Sequence, residues 1–266
     1  MATFVSDIDG TLLNSGRTLS DRTIAAIRSI RNNGHSFVLC SSRMPSSMRL
    51  LESLYNGVNE PLIAYNGGLV IEADGSIVHD VPIAVHDAEK VFGLCDELNV
   101  HGSFYSGDDW YIWKVDHWSD RETANTGIKP HREYASWYMR EGVVDCSPPH
   151  KIMCMGDPIA IEEIQSRLSK IKSLVTYRSK DTYLEIANSR CSKGAGVDAI
   201  LKKRGVAKGD SYFFGDNYND LSAFAIVGTS IAVANAKSEV IAAATTMTGR
   251  HHDDGVAEFL ESWLRA

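Results

Sequence analysis

Thr3-Phe4-Val5-Ser6-Asp7-Ile8-Asp9-Gly10-Thr11 decides how this chain reads. Thr3 to Ser6 is a short run of β-favouring residues, and the polar, glycine-containing Asp7 to Gly16 reads as the loop that follows it. A strand therefore delivers its carboxyl end to two carboxylates, Asp7 and Asp9. On an extended backbone alternate side chains share a face, so both can point into one place. Gly10 and Thr11 then turn the chain with backbone amides available to an anion. Two close carboxylates repel unless one is protonated or a cation lies between them, which predicts either a bound metal or a division into acid and base.

Beyond this stretch, Ser20 or Asp21 caps a helix with Ile24, Ile27 and Ile30 at helical spacing, closed by Asn33-Gly34. His35 to Ser41 is a second buried strand. Strand, helix, strand with a short return is the pattern of a parallel sheet covered by helices. Pro61 to Tyr65 gives a further strand ending at Asn66-Gly67-Gly68, which is a turn signal first and a substrate-loop candidate second. Leu69 to Ile71 and Ile77-Val78, separated by Asp74-Gly75, form a hairpin. The pattern returns near the other end, with a helix Lys193 to Arg204 stopped by Gly205, a strand Tyr212 to Gly215, helical Asp220 to Ala225 and a strand Ser230 to Val233.

Between these halves, over roughly residues 82 to 186, the composition turns aromatic, with Tyr105, Trp110, Tyr111, Trp113, Trp118, Trp137 and Tyr138 close together. This is an inserted domain, with residues 1–81 and 187–266 forming the core. Its expected elements are a helix Val85 to Leu98, a strand Asp109 to Val115, a helix His131 to Arg140, a strand Lys151 to Met155, a helix Ile159 to Leu174 and a strand Tyr183 to Ala187. The aromatics read as the core of this smaller domain before they read as a sugar-stacking surface. The fold class is α/β: a Rossmann-like, doubly wound parallel sheet with an inserted α+β domain.

A second acidic cluster, Gly215-Asp216-Asn217-Tyr218-Asn219-Asp220, also follows a β-type run and would sit at the same carboxyl edge, where open α/β sheets bind ligands. Asp7, the backbone carbonyl of Asp9 and Asp216 offer hard oxygen ligands that suit Mg2+, with positions left for water and phosphate. Zinc would call for His or Cys, and none is adjacent. His251-His252-Asp253-Asp254 reads as a surface loop before a last helix, Val256 to Leu264.

Five ordered motifs now resemble the haloacid dehalogenase superfamily of phosphohydrolases, in particular its Cof-type, sugar-phosphatase-like branch. They are Asp7-Ile8-Asp9-Gly10-Thr11-Leu12-Leu13, Ser41-Ser42-Arg43, Asn66-Gly67, Ser192-Lys193-Gly194 and Gly215 to Asp220. The resemblance implies the family's αβ cap, here between Asn66-Gly67 and Ser192-Lys193-Gly194, and an Mg2+-dependent hydrolysis of small phosphorylated metabolites, hexose phosphates foremost. By the same resemblance Asp7 is the nucleophile and Asp9 the general acid and base, which requires Asp7 ionised and Asp9 protonated at the start. Ser41 would bond a phosphoryl oxygen, Lys193 would neutralise the transferring group, and Asn219 and Asp220 would bind metal waters or orient Lys193. Ser41-Ser42-Arg43 stands where the family commonly shows Thr-Gly-Arg. The hydroxyl is kept, while Ser42 alters the turn; Arg43 either contacts substrate or cap, or makes a structural salt bridge. A phosphomutase using the same acid and nucleophile, and a phospho-receiver module, are the competing functions; receivers are near one small domain in length.

The whole chain sets outer bounds. Its 266 residues are 44% hydrophobic, which allows a sizeable core, and the formal net charge of −7 argues against a nucleic-acid surface. No apolar run approaches the length of a membrane span, and Met1 to Asp7 carries no basic leader, so a cytoplasmic enzyme without a membrane partner is expected. The five cysteines are scattered and never spaced Cys-x-x-Cys, so buried free thiols are expected rather than disulfides or a zinc site. Nothing in the sequence specifies an oligomer.

Overall fold

The computed structural model describes residues 1–57, 60–131 and 148–266. It divides into two compact units, one of Met1–Arg43, Met48–Asp80 and Ser192–Ala266, the other of Met44–Ser47 and Val81–Cys191.

The first unit is built on an eight-stranded sheet. Its strands are β1 (Thr3–Ser6), β2 (Ser36–Cys40), β3 (Leu62–Ala64), β4 (Leu69–Ile71), β5 (Ile77–Asp80), β11 (Ser211–Gly215), β12 (Thr229–Val233) and β13 (Thr246–Thr248), in the order β13-β12-β11-β1-β2-β3-β4-β5. All neighbours from β13 to β3 are parallel, and the β3–β4–β5 meander is antiparallel. β1 lies at the place where the strand order reverses. Its chain leaves through α1 (Asp21–Asn32) to β2 on one side, while its other neighbour, β11, comes from the far end of the sequence. Such a switch point opens a crevice beyond the strand ends.

Capping chemistry sets the helix limits. Ser20 Oγ accepts from Thr23 N at 3.0 Å to start α1. Ser192 Oγ accepts from Ala195 N at 3.1 Å to start α6 (Lys193–Arg204), which Gly205 ends in a left-handed conformation. Caps of this kind contribute about 1 kcal/mol each. Val5, Val38, Ile63, Val197, Ile200 and Phe213 are buried together between sheet and helix. α2 (Pro45–Leu54), α7 (Leu221–Phe224), α8 (Ser238–Ala243) and α9 (Gly255–Arg265) complete the helices that flank this sheet or its loops.

The second unit holds a five-stranded antiparallel sheet, β7-β6-β8-β10-β9, made of β6 (His101–Ser106), β7 (Asp109–Ile112), β8 (Lys151–Met155), β9 (Leu174–Lys180) and β10 (Tyr183–Asn188). α3 (Val85–Glu97) and α5 (Pro158–Leu168) bury Val91, Cys95, Ile161, Ile164 and Leu168 against Phe104, Ile152 and Leu184; α4 (His117–Thr126) is capped by Asp116. Trp110 is buried, and Tyr111 and Trp113 pack against this core, so these aromatics are structural. The core sheet is Rossmann-like and the insertion is α+β, as the periodicities imply.

Three local expectations change. The helix expected over Ile159 to Leu174 stops at Leu168, because Ser169 caps it and the chain re-enters the sheet as β9. The strand expected over Asp109 to Val115 ends at Ile112, and α2, β6, α4, β9, α8 and β13 were not anticipated. The helix expected over His131 to Arg140, with Trp137 and Tyr138, lies outside the described residues beyond His131. Cys40, Cys95, Cys154 and Cys191 are buried free thiols. Among the described residues, no helix is long and apolar enough to cross a membrane.

Candidate active site

Parallel pairing places Ser6 level with Phe214, and Asp7 N donates to Phe214 O at 3.0 Å. The loops that leave β1 and β11 therefore start side by side, and Asp7, Asp216 and Asp220 bring carboxylate oxygens within 4.8 Å of one another. Lys193, at the start of α6, reaches into this group. Its Nζ lies 2.5 Å from Asp7 Oδ1 and 2.7 Å from Asp220 Oδ1, and the side chain is 1% exposed.

The rest of the frame orients these charges. Asp220 Oδ2 accepts from the amides of Asp216 and Asn217, both at 2.9 Å, so Asp220 is spent on Lys193 and its own loop. Thr11 Oγ1 donates to Asp216 Oδ1 at 2.9 Å. Gly10 adopts φ +88°, and a Cβ there would stand 2.6 Å from Asp216 Oδ2, so any other residue would displace that carboxylate as well as strain the turn. Ser41 is buried at the end of β2, its Oγ accepting from Arg43 N at 3.3 Å, with Ser42 beside it in the same loop. Asn66, in the turn after β3, accepts from Asn219 Nδ2 at 3.1 Å.

Asp9 is arranged differently from the expectation. Its carboxylate faces the guanidinium of Arg43, with bonds of 2.8 and 2.7 Å, and Arg17 lies at 3.5 Å. Arg43 thus forms a salt bridge with Asp9. Burial raises the Asp9 pKa, but the hydrogen bonds and charge of Arg43, with Arg17, outweigh it and hold Asp9 below the ordinary carboxylate value. Asp7 moves the opposite way: burial, then the charges of Asp220 and Asp216, outweigh Lys193 and push it well up. The two shifts run opposite to those that a protonated Asp9 beside an ionised Asp7 calls for, because Arg43 acts on Asp9 while burial and like charge act on Asp7. Burial and Asp220 also raise Asp216. Lys193 stays protonated, since Asp220 and Asp7 outweigh the cost of its burial.

These residues fit a hard divalent cation. Three carboxylates face one ammonium, the donors are all oxygens, and the raised Asp7 and Asp216 mark negative charge that the protein alone leaves uncompensated. Asp7 and Asp216 are placed to hold the ion; the Asp9 side chain is turned to Arg43 and the amide nitrogen of Asn219 to Asn66.

Asn235, just after β12, supports the Gly10 loop with its side chain. Nδ2 donates to Gly10 O at 2.8 Å and Oδ1 accepts from His251 N at 2.9 Å. His251 Nδ1 in turn lies 2.8 Å from Leu13 O. The available signal was an Asn directly after a strand, β12, that ends at the same sheet edge as Asp7.

Comparison with known proteins agrees with this geometry. The sequence profile of the haloacid dehalogenase-like hydrolases matches residues 4–260. A Haemophilus influenzae protein named as a phosphatase is 31% identical, the alignment covering 96% of this chain and 95% of that one. A Bacillus subtilis 5-amino-6-(5-phospho-D-ribitylamino)uracil phosphatase is 25% identical over 97% and 96% of the two chains. In fold, a haloacid dehalogenase-like hydrolase from Bacteroides thetaiotaomicron superposes with a TM-score of 0.89 at 23% identity, covering 98% of this chain and 99% of that one. With an aspartate cluster closed by Lys193 at the switch point of such a sheet, the chain belongs to the haloacid dehalogenase-like hydrolases and is an enzyme of the phosphoric monoester hydrolase class.

Proposed function

We propose that this enzyme is a Cof-type, magnesium-dependent phosphatase that releases phosphate from small phosphorylated metabolites, sugar phosphates foremost, through an aspartyl-phosphate on Asp7. The observation that carries this reading is the buried Lys193 held between Asp7 and Asp220, with Asp216 beside them.

Asp7 attacks phosphorus in line, forming an acyl-phosphate bond as the ester P–O bond breaks. Asp9 gives the leaving oxygen its proton and later takes one from the water that hydrolyses the intermediate. Because Arg43 grips Asp9 in this structure, the acid step requires Arg43 to yield and Asp9 to take up a proton. Lys193 offsets charge on the phosphoryl oxygens, and Ser41 and the amides of the Asp9–Thr11 turn supply hydrogen bonds to them. Mg2+ held by Asp7 and Asp216 would add positive charge beside those oxygens and lower the pKa of Asp7.

Substrate selectivity is assigned to the inserted segment, residues 82–186, and the site of action to the cytoplasm. The Bacillus subtilis relative, whose name specifies a phosphoribityl compound, supports a phosphorylated small metabolite as the substrate class.

The test is phosphate release from a panel of sugar, cofactor and nucleotide monophosphates, with and without Mg2+, for wild type beside Asp7→Asn. Mg2+-dependent release absent from the variant supports the reading. An isomerised sugar phosphate without free phosphate would make the enzyme a mutase instead.

A further inference from the structure

Tyr65, Asn66 and Gly67 adopt φ of +52°, +54° and +87° in succession. Left-handed backbone is costly for a bulky residue such as Tyr65 and persists only where the surroundings over-determine it. Here they do. Tyr65 N donates to Arg43 O at 3.3 Å and Asn66 N to Ser41 O at 2.8 Å, tying the turn to the loop after β2. On its other side Gly67 packs so tightly on the start of α6 that a Cβ would lie 2.1 Å from Ser192 O. The turn is wedged between the segments that carry Ser41 and Lys193.

What this rigid turn presents is the Asn66 side chain, which is buried. Its Oδ1 accepts from Asn219 Nδ2 at 3.1 Å. An amide whose nitrogen is engaged on one side must turn its oxygen to the other. Asn219 Oδ1 is indeed a buried acceptor with no hydrogen-bond partner among the described residues. A buried polar atom left unsatisfied is costly, so an oriented and empty acceptor is ready for a donor that arrives with a ligand. Asn219 lies in the loop between Asp216 and Asp220, both members of the carboxylate cluster. The donor chemistry such a cluster attracts is a hydrated divalent cation, whose waters donate.

We infer that Asn66 is a positioning residue: it fixes the amide of Asn219 so that Asn219 Oδ1 accepts a hydrogen bond from a water of the bound cation, and it does not itself touch the substrate. This rests on the phosphatase reading above. Groups that orient a metal's own ligands are worth about 10-fold to 100-fold in metal affinity or turnover, and Asn66, acting one bond further out through Asn219, belongs at the lower end.

Three variants test it. Asn66→Gly removes the acceptor and keeps the left-handed turn; Asn66→Asp tolerates the same backbone and can only accept; Asn219→Ala removes the group acted upon. Mg2+ binding to the full chain is measured by calorimetry, and kcat and KM on the best ester of the phosphate panel. Asn66→Gly is expected to weaken Mg2+ binding about tenfold and to lower kcat similarly, with KM for the ester within about twofold. Adding it to Asn219→Ala should produce no further loss, and Asn66→Asp should bind Mg2+ at least as tightly as wild type. Unchanged Mg2+ affinity in Asn66→Gly, or losses that multiply in the double variant, would overturn the inference. So would Asn66→Asp binding as weakly as Asn66→Gly, since Asn66 would then be a donor. A wild type that binds Mg2+ but releases no phosphate would overturn the phosphatase reading, while the Mg2+ titrations would still decide the role of Asn66.

Discussion

Lys193 Nζ stands 2.5 Å from Asp7 Oδ1, so one buried cation joins the end of the first strand to a helix that begins 186 residues later. The same nitrogen bonds Asp220, which holds the amides of its own loop. Lys193→Ala would leave carboxylates buried and uncompensated. The expected loss is about 3–5 kcal/mol of stability in Mg2+-free buffer, seen in denaturant unfolding, together with a fall in kcat of at least about 100-fold. Lys193→Arg should not restore turnover, because a planar guanidinium cannot replace a compact ammonium in this space.

Asp7→Asn separates stability from catalysis. The Asp7 pKa is raised in the folded state by burial and by Asp220 and Asp216, so the metal-free protein loses stability as pH rises through that value. Replacing the carboxylate removes this cost. Without Mg2+ at pH 8, Asp7→Asn is expected to melt no lower than wild type. It should also lose most of the Mg2+-induced rise in Tm that linkage gives the wild type. A variant that melts well below wild type and keeps the Mg2+ response would contradict this assignment of charge.

Arg43 sets the titration of Asp9. With Arg43→Met, burial is no longer outweighed by the paired guanidinium and the Asp9 pKa rises. A general acid with a higher pKa stays protonated to higher pH, so the alkaline limb of the kcat/KM profile should move upward. An unmoved alkaline limb would show that Asp9 is not the acid of the free enzyme.

A second pH effect belongs to stability alone. Glu52 in α2 has a buried side chain, and its pKa is pushed up to about 7 from 4.5, by burial first, despite the bond from Arg49 at 2.5 Å. Its folded pKa lies above its unfolded one, so its contribution is most favourable below about pH 4.5 and is lost as pH rises through about 7. The difference amounts to about 3 kcal/mol. Glu52→Gln should flatten that part of the stability profile and be the more stable protein at pH 8, as read by denaturant midpoints across pH.

The sequence carried the core sheet well because its signals are local. Ser20, Ser192 and Gly205 mark helix ends by their own chemistry, β1 and β2 are uninterrupted buried runs, and β11 is buried but for Tyr212. The insertion was less legible. β6 is His101-Gly102-Ser103-Phe104-Tyr105-Ser106, entirely buried yet two-thirds polar or glycine, so only the neighbouring strands reveal it as sheet. α4 has little apolar pattern and is held by the Asp116 capping box.

In the site, Asp7, Lys193, Asp216 and Asp220 could be ordered along the chain by family resemblance, and the pairing of β1 with β11 is what brings them together. Which way Arg43, Asn66 and Asn235 point was not legible. Those directions depend on left-handed turns and strand ends contributed by distant segments, and they decide the charge on Asp9 and the shape of the Gly10 turn.

The most direct measurement is rapid acid quench of the enzyme turning over a phosphate monoester labelled in its phosphoryl group, with the labelled peptide identified by mass spectrometry. A single Mg2+-dependent label on Asp7 is expected, released by hydroxylamine and absent from Asp7→Asn. Turnover that proceeds with no label on the protein, or with the label on another residue, would contradict it.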